Sequence, residues 1–165
     1  RHQACREELR NPCRTAGTAR MMRVVADASV VVKWLLPVRD DEHDLEQALD
    51  LLRAVGSDTV TLYEPPHWLA EAAAVVTRLS PATAEEDISD LHAMAVRVVD
   101  SEQANLLASR LSQELDHHLF DTLYHAVALS VDDAILVTAD ERYFAKATGR
   151  GRVVLLRDFP AARHR

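Results

Sequence analysis

The chain has 165 residues and a formal net charge of -7. Hydrophobic residues make up 48% of it and aromatic residues 5%. This length predicts one domain with a core of ordinary size. The low content of glycine and proline argues against a disordered chain. The negative charge argues against a protein that binds nucleic acid by bulk electrostatic attraction.

Residues 1–20 differ in composition from the rest of the chain. They hold five arginines and both cysteines, Cys5 and Cys13, and a pair of methionines follows them where a translation start would fit. We therefore predict that residues 1–20 are an upstream extension or tail outside the fold, and that residues 21–165 form a single domain. The two cysteines are interpreted as incidental, although a disulfide or a weak metal clip between them stays open.

The expected location is the cytoplasm. No apolar run reaches the roughly 18 residues that a membrane span requires, and the N-terminus has no apolar signal-peptide core. Residues 21–165 contain no cysteine, which is typical of proteins in a reducing compartment.

The first predicted strand is followed directly by an acid. Val24 and Val25 predict a short buried strand, and Asp27 stands at its exit. Ser29 is the expected N-cap of a helix that continues through Trp34.

Further along the chain, helical and strand patterns alternate. A helix is predicted to begin with a capping box formed by Thr83 and Glu86. Other helices are predicted over residues 42–55, 67–79, 101–116, 117–130 and 141–147, and strands over residues 59–63, 96–99, 134–138 and 153–156. This order favours an α/β fold in which helices cover a parallel sheet.

Four acids stand out by their context. Asp27 and Asp140 each follow a buried strand, so in a parallel sheet they lie at the same edge. Glu71 and Asp121 each interrupt an apolar helix. Two carboxylates about 4 Å apart repel by roughly 4 kcal/mol at an effective dielectric of 20. A hard divalent cation such as Mg²⁺ or Mn²⁺ relieves this repulsion, because it prefers oxygen ligands.

Each acid, taken alone, also has a structural interpretation. The alternatives are a strand-end cap for Asp27, an ion pair with Arg78 for Glu71, a solvated first helical turn for Asp121, and an N-cap for Asp140. The joint placement of the four acids is what favours a metal site. Carboxylate sites of this kind suit attack of water on a phosphodiester.

Histidines offer a competing site. His117, Asp121 and His125 recur every four residues, a spacing that could bind zinc, and His118 lies beside them. The acids call for a harder ion, so we interpret these histidines as satisfied or exposed. Trp34 and Trp68 are expected in the core, although an exposed tryptophan could stack on a base. The candidates for phosphate contacts are Arg39, Arg78, Arg142 and Arg150.

Four segments resemble a known family. The segments VVADASVVVKWLLP, HWLAEAAAVV, FDTLYHAVAL and ILVTADERYF are similar, in order and spacing, to the PIN-domain ribonucleases, particularly VapC-type toxins. The resemblance covers the chain from about Arg23 to Phe159. The acids of the family correspond to Asp27, Glu71, Asp121 and Asp140. Thr138 matches a position whose hydroxyl orders the site, and Ser29 is a lesser candidate of the same kind.

The resemblance implies a three-layer α/β/α sandwich and a metal-dependent endoribonuclease. The four acids would bind Mg²⁺ or Mn²⁺, directly or through water, and RNA would be the substrate. It also implies a homodimer and a cognate antitoxin of a type II toxin–antitoxin system, whose C-terminal segment blocks the acidic cleft. Two alternatives stay open: a PIN nuclease for RNA processing outside a toxin system, and a non-catalytic module that binds RNA or protein. Intact acids at all four positions argue against the non-catalytic module.

Overall fold

The computed structural model describes residues 21–36 and 44–159. The described residues contain one parallel sheet with the strand order β3-β2-β1-β4-β5. Its strands are β1 (Met22–Ala26), β2 (Val60–Glu64), β3 (Val96–Val98), β4 (Ala134–Thr138) and β5 (Val153–Leu155). The predictions for residues 1–20, for Cys5 and Cys13 and for Arg39 lie outside the described residues.

Helices connect and cover the strands. They are α1 (Ala28–Val31), α2 (Leu45–Gly56), α3 (Trp68–Leu79), α4 (Ala84–Ala93), α5 (Glu102–Leu115), α6 (Leu119–Ser130) and α7 (Glu141–Ala147), with short 3-10 turns at Val32–Trp34, Thr148–Arg150 and Leu156–Asp158. The architecture is the predicted three-layer α/β/α sandwich, so the predicted fold class is confirmed. Among the described residues, no helix is both long and apolar enough to cross a membrane.

The central strands β1 and β4 are apolar on both faces. Val24, Val25, Leu136 and Val137 have no exposed surface. Strands of a parallel sheet that is covered on both sides read as continuous hydrophobic runs rather than alternating ones. This is why both strands could be recognised from the sequence alone.

The strand order reverses between β1 and β4. From β1 the chain builds β2 and β3 on one side, and it then crosses over to build β4 and β5 on the other. Ala26 pairs with Val137, and the Asp27 amide donates to the Val137 carbonyl at 3.3 Å. Asp27 and Thr138 therefore leave the sheet side by side. In open α/β sheets, ligands bind in the crevice at such a reversal point.

Two predicted helix caps are wrong. Asp27, not Ser29, caps α1: its carboxylate accepts the Ser29 amide at 3.0 Å, so the cap lies two residues earlier than we expected. Thr83 makes no cap hydrogen bond, because its backbone is not in the extended conformation that an N-cap requires. Its hydroxyl donates instead to Asp87 Oδ2 at 2.8 Å, so the expected cap of a capping box is absent.

The predicted roles of the tryptophans differ in outcome. Trp68 is buried in the core, as expected. Trp34 is half-buried, and its indole N–H donates to the Ala48 carbonyl at 2.8 Å.

The cap of α5 is Ser101, whose hydroxyl accepts the Ala104 amide at 3.1 Å.

Candidate active site at the carboxyl edge of the sheet

Asp27 lies at the centre of the carboxyl edge. Its carboxylate accepts hydrogen bonds from the Ser29 amide and the Ser29 hydroxyl. Burial raises the pKa of Asp27 to about 6; hydrogen bonds from Ser29 and Thr138 lower this pKa, and the charge of Asp121 raises it further. Because desolvation outweighs these hydrogen bonds, an additional positive charge would favour the carboxylate form.

Two hydroxyl groups fix the position of Asp27. The Ser29 hydroxyl donates to Asp27 and accepts the Ala139 amide at 2.9 Å. The Thr138 hydroxyl hydrogen bonds with Asp27 and accepts the Asp140 amide at 2.9 Å. Both hydroxyls thus link the exit of β1 to the exit of β4.

Asp121 approaches from the first turn of α6. Its side chain is 41% exposed, and its Oδ2 lies 3.1 Å from His117 Nε2. Its charge raises the pKa of Asp27 and also the pKa of Tyr143, which burial raises most. Asp121 is therefore a site residue that faces Asp27 and still reaches solvent.

Glu71 is held by a tyrosine and not by Arg78. The Tyr124 hydroxyl donates to Glu71 Oε2 at 2.8 Å. Burial raises the pKa of Tyr124, and the charges of Glu71, Glu64 and Asp27 raise it further. Three acids from three different elements therefore surround this one hydroxyl.

Asp140 caps α7, as its structural interpretation predicts. Its Oδ1 accepts the amides of Arg142 and Tyr143 at 2.8 and 3.0 Å. It stands two residues after Thr138, at the same edge as Asp27. One carboxylate oxygen is thus committed to the helix.

The sequence analysis missed Glu64. This residue ends β2 and has no exposed surface. Its Oε1 accepts the Ala26 amide at 2.9 Å, and no protein group hydrogen bonds to its buried Oε2. Burial raises the pKa of Glu64 well above its usual range; the Ala26 hydrogen bond opposes this shift, and the Asp27 charge adds to it. The strand-end rule that selected Asp27 and Asp140 would have found it.

The histidine alternative fails at His125. This side chain is buried, and its two ring nitrogens lie 2.9 Å from the Tyr143 hydroxyl and 2.8 Å from the Gly151 carbonyl. Burial lowers the pKa of His125. With both nitrogens engaged in the core, His125 is not available to bind zinc beside His117.

The candidate arginines lie at the surface where the structure describes them. Arg78 and Arg142 are exposed. Arg150 pairs with Glu114 at 2.8 Å, which occupies its guanidinium group.

Comparison with known proteins supports the fold. No family model matches the chain, and no curated protein is significantly similar to it. The chain is similar to the crystal structure of PAE2754 from Pyrobaculum aerophilum, with a TM-score of 0.57 and 17% sequence identity. The match covers 84% of this chain and 93% of that one. An identity this low shows a shared fold and nothing about activity.

The chemistry of the acids fits a hard divalent cation. Within residues 21–36 and 44–159, no three His, Cys, Asp or Glu side chains converge closely enough to hold a metal ion. Mg²⁺, however, is usually bound by one or two carboxylates, several waters and the phosphate of a substrate. Asp27 and Asp121 supply two such carboxylates, and the charge of Asp121 acts on Asp27. Glu71 and Asp140 are half-buried, so each still reaches solvent.

Proposed function

We propose that this chain is a metal-dependent endoribonuclease that hydrolyses RNA phosphodiester bonds. The observation that carries the proposal is the position of Asp27 beside Thr138 at the point where the strand order reverses, with the charge of Asp121 acting on it. An excess of negative charge at this edge is unfavourable unless a cation is bound there. Bound Mg²⁺ or Mn²⁺ supplies a Lewis acid that acidifies water and neutralises charge on a phosphate.

Each residue of the site has a defined role in this proposal. Asp27 and Asp121 hold the cation directly, while Ser29 and Thr138 keep the Asp27 carboxylate in one orientation. Asp140 and Glu71 would contact the cation through bound water, with Glu71 held by the Tyr124 hydroxyl. No protein base is assigned.

The test combines cleavage with metal-linked stability. We expect Asp27→Asn and Asp121→Asn to lower the cleavage of single-stranded RNA by more than about 100-fold, since even residues that only support metal ligands contribute 10- to 100-fold. Mn²⁺ should raise the melting temperature of the wild type, because a ligand stabilises the state that binds it. It should raise the melting temperatures of these two variants less.

Asp132→Asn is the matched control. Asp132 is an exposed acid that precedes β4, at the opposite end of that strand from Thr138. This variant should cleave RNA and respond to Mn²⁺ as the wild type does. Cleavage that persists in EDTA, or a wild-type melting temperature that does not change when Mn²⁺ is added, would contradict the proposal.

We further propose that the enzyme is the toxin of a type II toxin–antitoxin pair in the cytoplasm, and that it acts as a homodimer. The support is the resemblance of four segments to VapC-type toxins. A cognate antitoxin should place a basic residue against the acids, since charge complementarity drives such contacts. Expression of the native operon and co-purification test this. Free protein without a neighbouring small reading frame would favour an RNA-processing nuclease instead.

A further inference from the structure

Phe120 is the exposed aromatic side chain of the candidate site. Phe120 is 49% exposed. The other Trp, Tyr and Phe residues, all within the described part of the chain, are buried or half-buried. A single exposed apolar residue needs no explanation on its own. The surroundings of this ring are what set it apart.

Two imidazole rings support Phe120. Its ring centroid lies 4.9 Å from that of His67 and 5.3 Å from that of His118, with both pairs tilted. His67 in turn meets the Tyr124 ring edge-on at 5.0 Å. We call Phe120, His67 and His118 the ring platform. Packing on two rings holds Phe120 in place with part of its surface free.

The ring platform lies at the starts of the two helices that carry Glu71 and Asp121. Phe120 directly precedes Asp121 in the first turn of α6, and consecutive Cα atoms are about 3.8 Å apart. His67 precedes α3, and its Nε2 lies 3.5 Å from Glu71 Oε2. The fold therefore places the exposed ring one residue from Asp121 and packs it on His67, which contacts Glu71.

We propose that Phe120 is a stacking site for an unpaired nucleobase of RNA, next to the phosphate that is cut. This inference rests on the proposed nuclease function. Aromatic side chains bind single-stranded RNA by stacking on its bases, whereas bases inside a duplex are not available. A chain with a net charge of -7 cannot rely on general attraction for a polyanion. Stacking provides affinity that does not depend on charge.

The first experiment measures binding of a fluorescent single-stranded oligoribonucleotide by anisotropy, with Ca²⁺ and separately with EDTA. We expect Phe120→Ala and Phe120→Leu to weaken binding roughly tenfold, the usual effect of losing one stacked base. Phe120→Trp should retain binding, because it preserves the aromatic surface. Leu106→Ala is the control: Leu106 is 53% exposed on α5, which carries none of the candidate acids, and its loss should leave binding unchanged.

The second experiment identifies the base. An abasic nucleotide is placed in turn at each position of the oligoribonucleotide. At one position it should weaken binding to the wild type as much as Phe120→Ala does, and it should have no further effect on Phe120→Ala. Such non-additivity is the mark of a direct contact. Thermal melts confirm that each variant is folded, and duplex RNA should show no dependence on Phe120.

The outcomes separate this inference from the proposed function. If the wild type cleaves RNA and Phe120→Ala binds and cleaves equally well, the stacking site is wrong and the nuclease stands. If binding depends on Phe120 but no metal supports cleavage, the nuclease is wrong, and Phe120 stays a base-stacking site of an RNA-binding protein with no cleaved phosphate beside it. Equal binding by Phe120→Leu and Phe120→Trp, or no binding of single-stranded RNA by the wild type, would overturn the inference. If Phe120 instead contacts a protein partner, Phe120→Leu and Phe120→Trp should bind RNA equally.

Discussion

Glu64 ends β2 and has no exposed surface, and Asp27 follows the neighbouring strand β1 and is half-buried. Glu64 accepts the Ala26 amide with a side-chain oxygen, at a position where the β1–β2 ladder has already ended at Val24 and Leu62. Its own carbonyl accepts the Val99 amide at 2.8 Å. The side chain thus fixes the backbone immediately before Asp27. Burial of an acid with one unpartnered oxygen costs free energy of folding.

The first residue-scale prediction concerns Glu64→Gln in metal-free protein. The pKa of Glu64 is raised by burial, so the folded state binds its proton more tightly than the unfolded state does. Its contribution to stability is therefore present below the unfolded pKa and lost as the pH rises. Glutamine keeps the acceptor for the Ala26 amide and does not titrate. We expect Glu64→Gln to melt at least roughly 2 °C higher than the wild type at pH 8, the shift for about 1 kcal/mol in a chain of this size.

The pH dependence is the check on this prediction. In EDTA, the gain should be smaller at pH 5 than at pH 8, because the wild-type carboxyl group is then closer to neutral in both states. Glu64→Ala, which removes the acceptor and leaves a cavity, should be less stable than the wild type at both values. A glutamine variant that loses stability equally at pH 5 and pH 8 would show that the carboxyl group itself is required.

At the scale of single elements, α7 depends on the acid before it. The Asp140 carboxylate accepts two amides of the first turn, so Asp140→Ala should lower the free energy of unfolding by about 0.5–2 kcal/mol. Asp140→Asn keeps a capping oxygen and should stay within a few tenths of the wild type. If Asp140 also serves the site through water, Asp140→Asn should still lose cleavage. Melts and cleavage assays on both variants measure this.

Two results would contradict this dual role. An Asp140→Ala variant as stable as the wild type would show that Asp140 does not stabilise α7 as a cap. A fully active Asp140→Asn variant would show that Asp140 acts only as a cap. The matched comparison is Ser101→Ala, which removes the cap of α5 far from any candidate acid. It should lower stability to a similar degree and leave cleavage unchanged.

The elements themselves were largely predictable, and their ends were not. The strand of residues 134–138 and the helix of residues 141–147 were predicted with their observed bounds, because each is a distinct apolar or amphipathic run between clear stops. The caps at Ser29 and Thr83 were wrong because capping depends on the backbone conformation of one residue, which a pattern does not contain. A neighbouring acid can also take over the role, as Asp27 does.

The candidate site was predictable in its position more than in its contacts. Asp27 and Asp140 follow from strand ends that meet at one edge of a parallel sheet, whereas Thr138 was implied by the family resemblance. The tyrosine that holds Glu71 lies on α6, and the His67 imidazole that supports Phe120 precedes α3, so no local pattern reveals these two contacts. Glu64 was not singled out, although it directly follows the predicted strand of residues 59–63.

For the whole molecule, the net charge limits how the proposed binding of RNA would work. The net charge is -7, and the candidate site concentrates acids at one edge of the sheet. Basic proteins bind nucleic acid by releasing counterions, so their affinity falls steeply with salt, with a slope of about -0.7 per phosphate contact on single strands. A molecule of this charge should instead depend on divalent cations bridging its carboxylates to the phosphates.

The last prediction follows from this charge. Binding of a single-stranded oligoribonucleotide should weaken roughly tenfold or more when Ca²⁺ is replaced by EDTA. In Ca²⁺, the logarithm of the affinity should fall with log [KCl] with a slope no steeper than about -2, equivalent to about three phosphate contacts.

The control for this prediction is a chain beginning at Met21, because residues 1–20 contain five arginines and two acids. If residues 1–20 lie outside the fold and its site, that chain should keep the same melting temperature, cation dependence and slope. A steep slope that disappears with residues 1–20 would mean that their arginines bind the phosphates, and a lower melting temperature would mean that they pack on the fold. Cation dependence that survives their removal but is lost in Asp27→Asn would place the attraction for RNA at the carboxyl edge of the sheet.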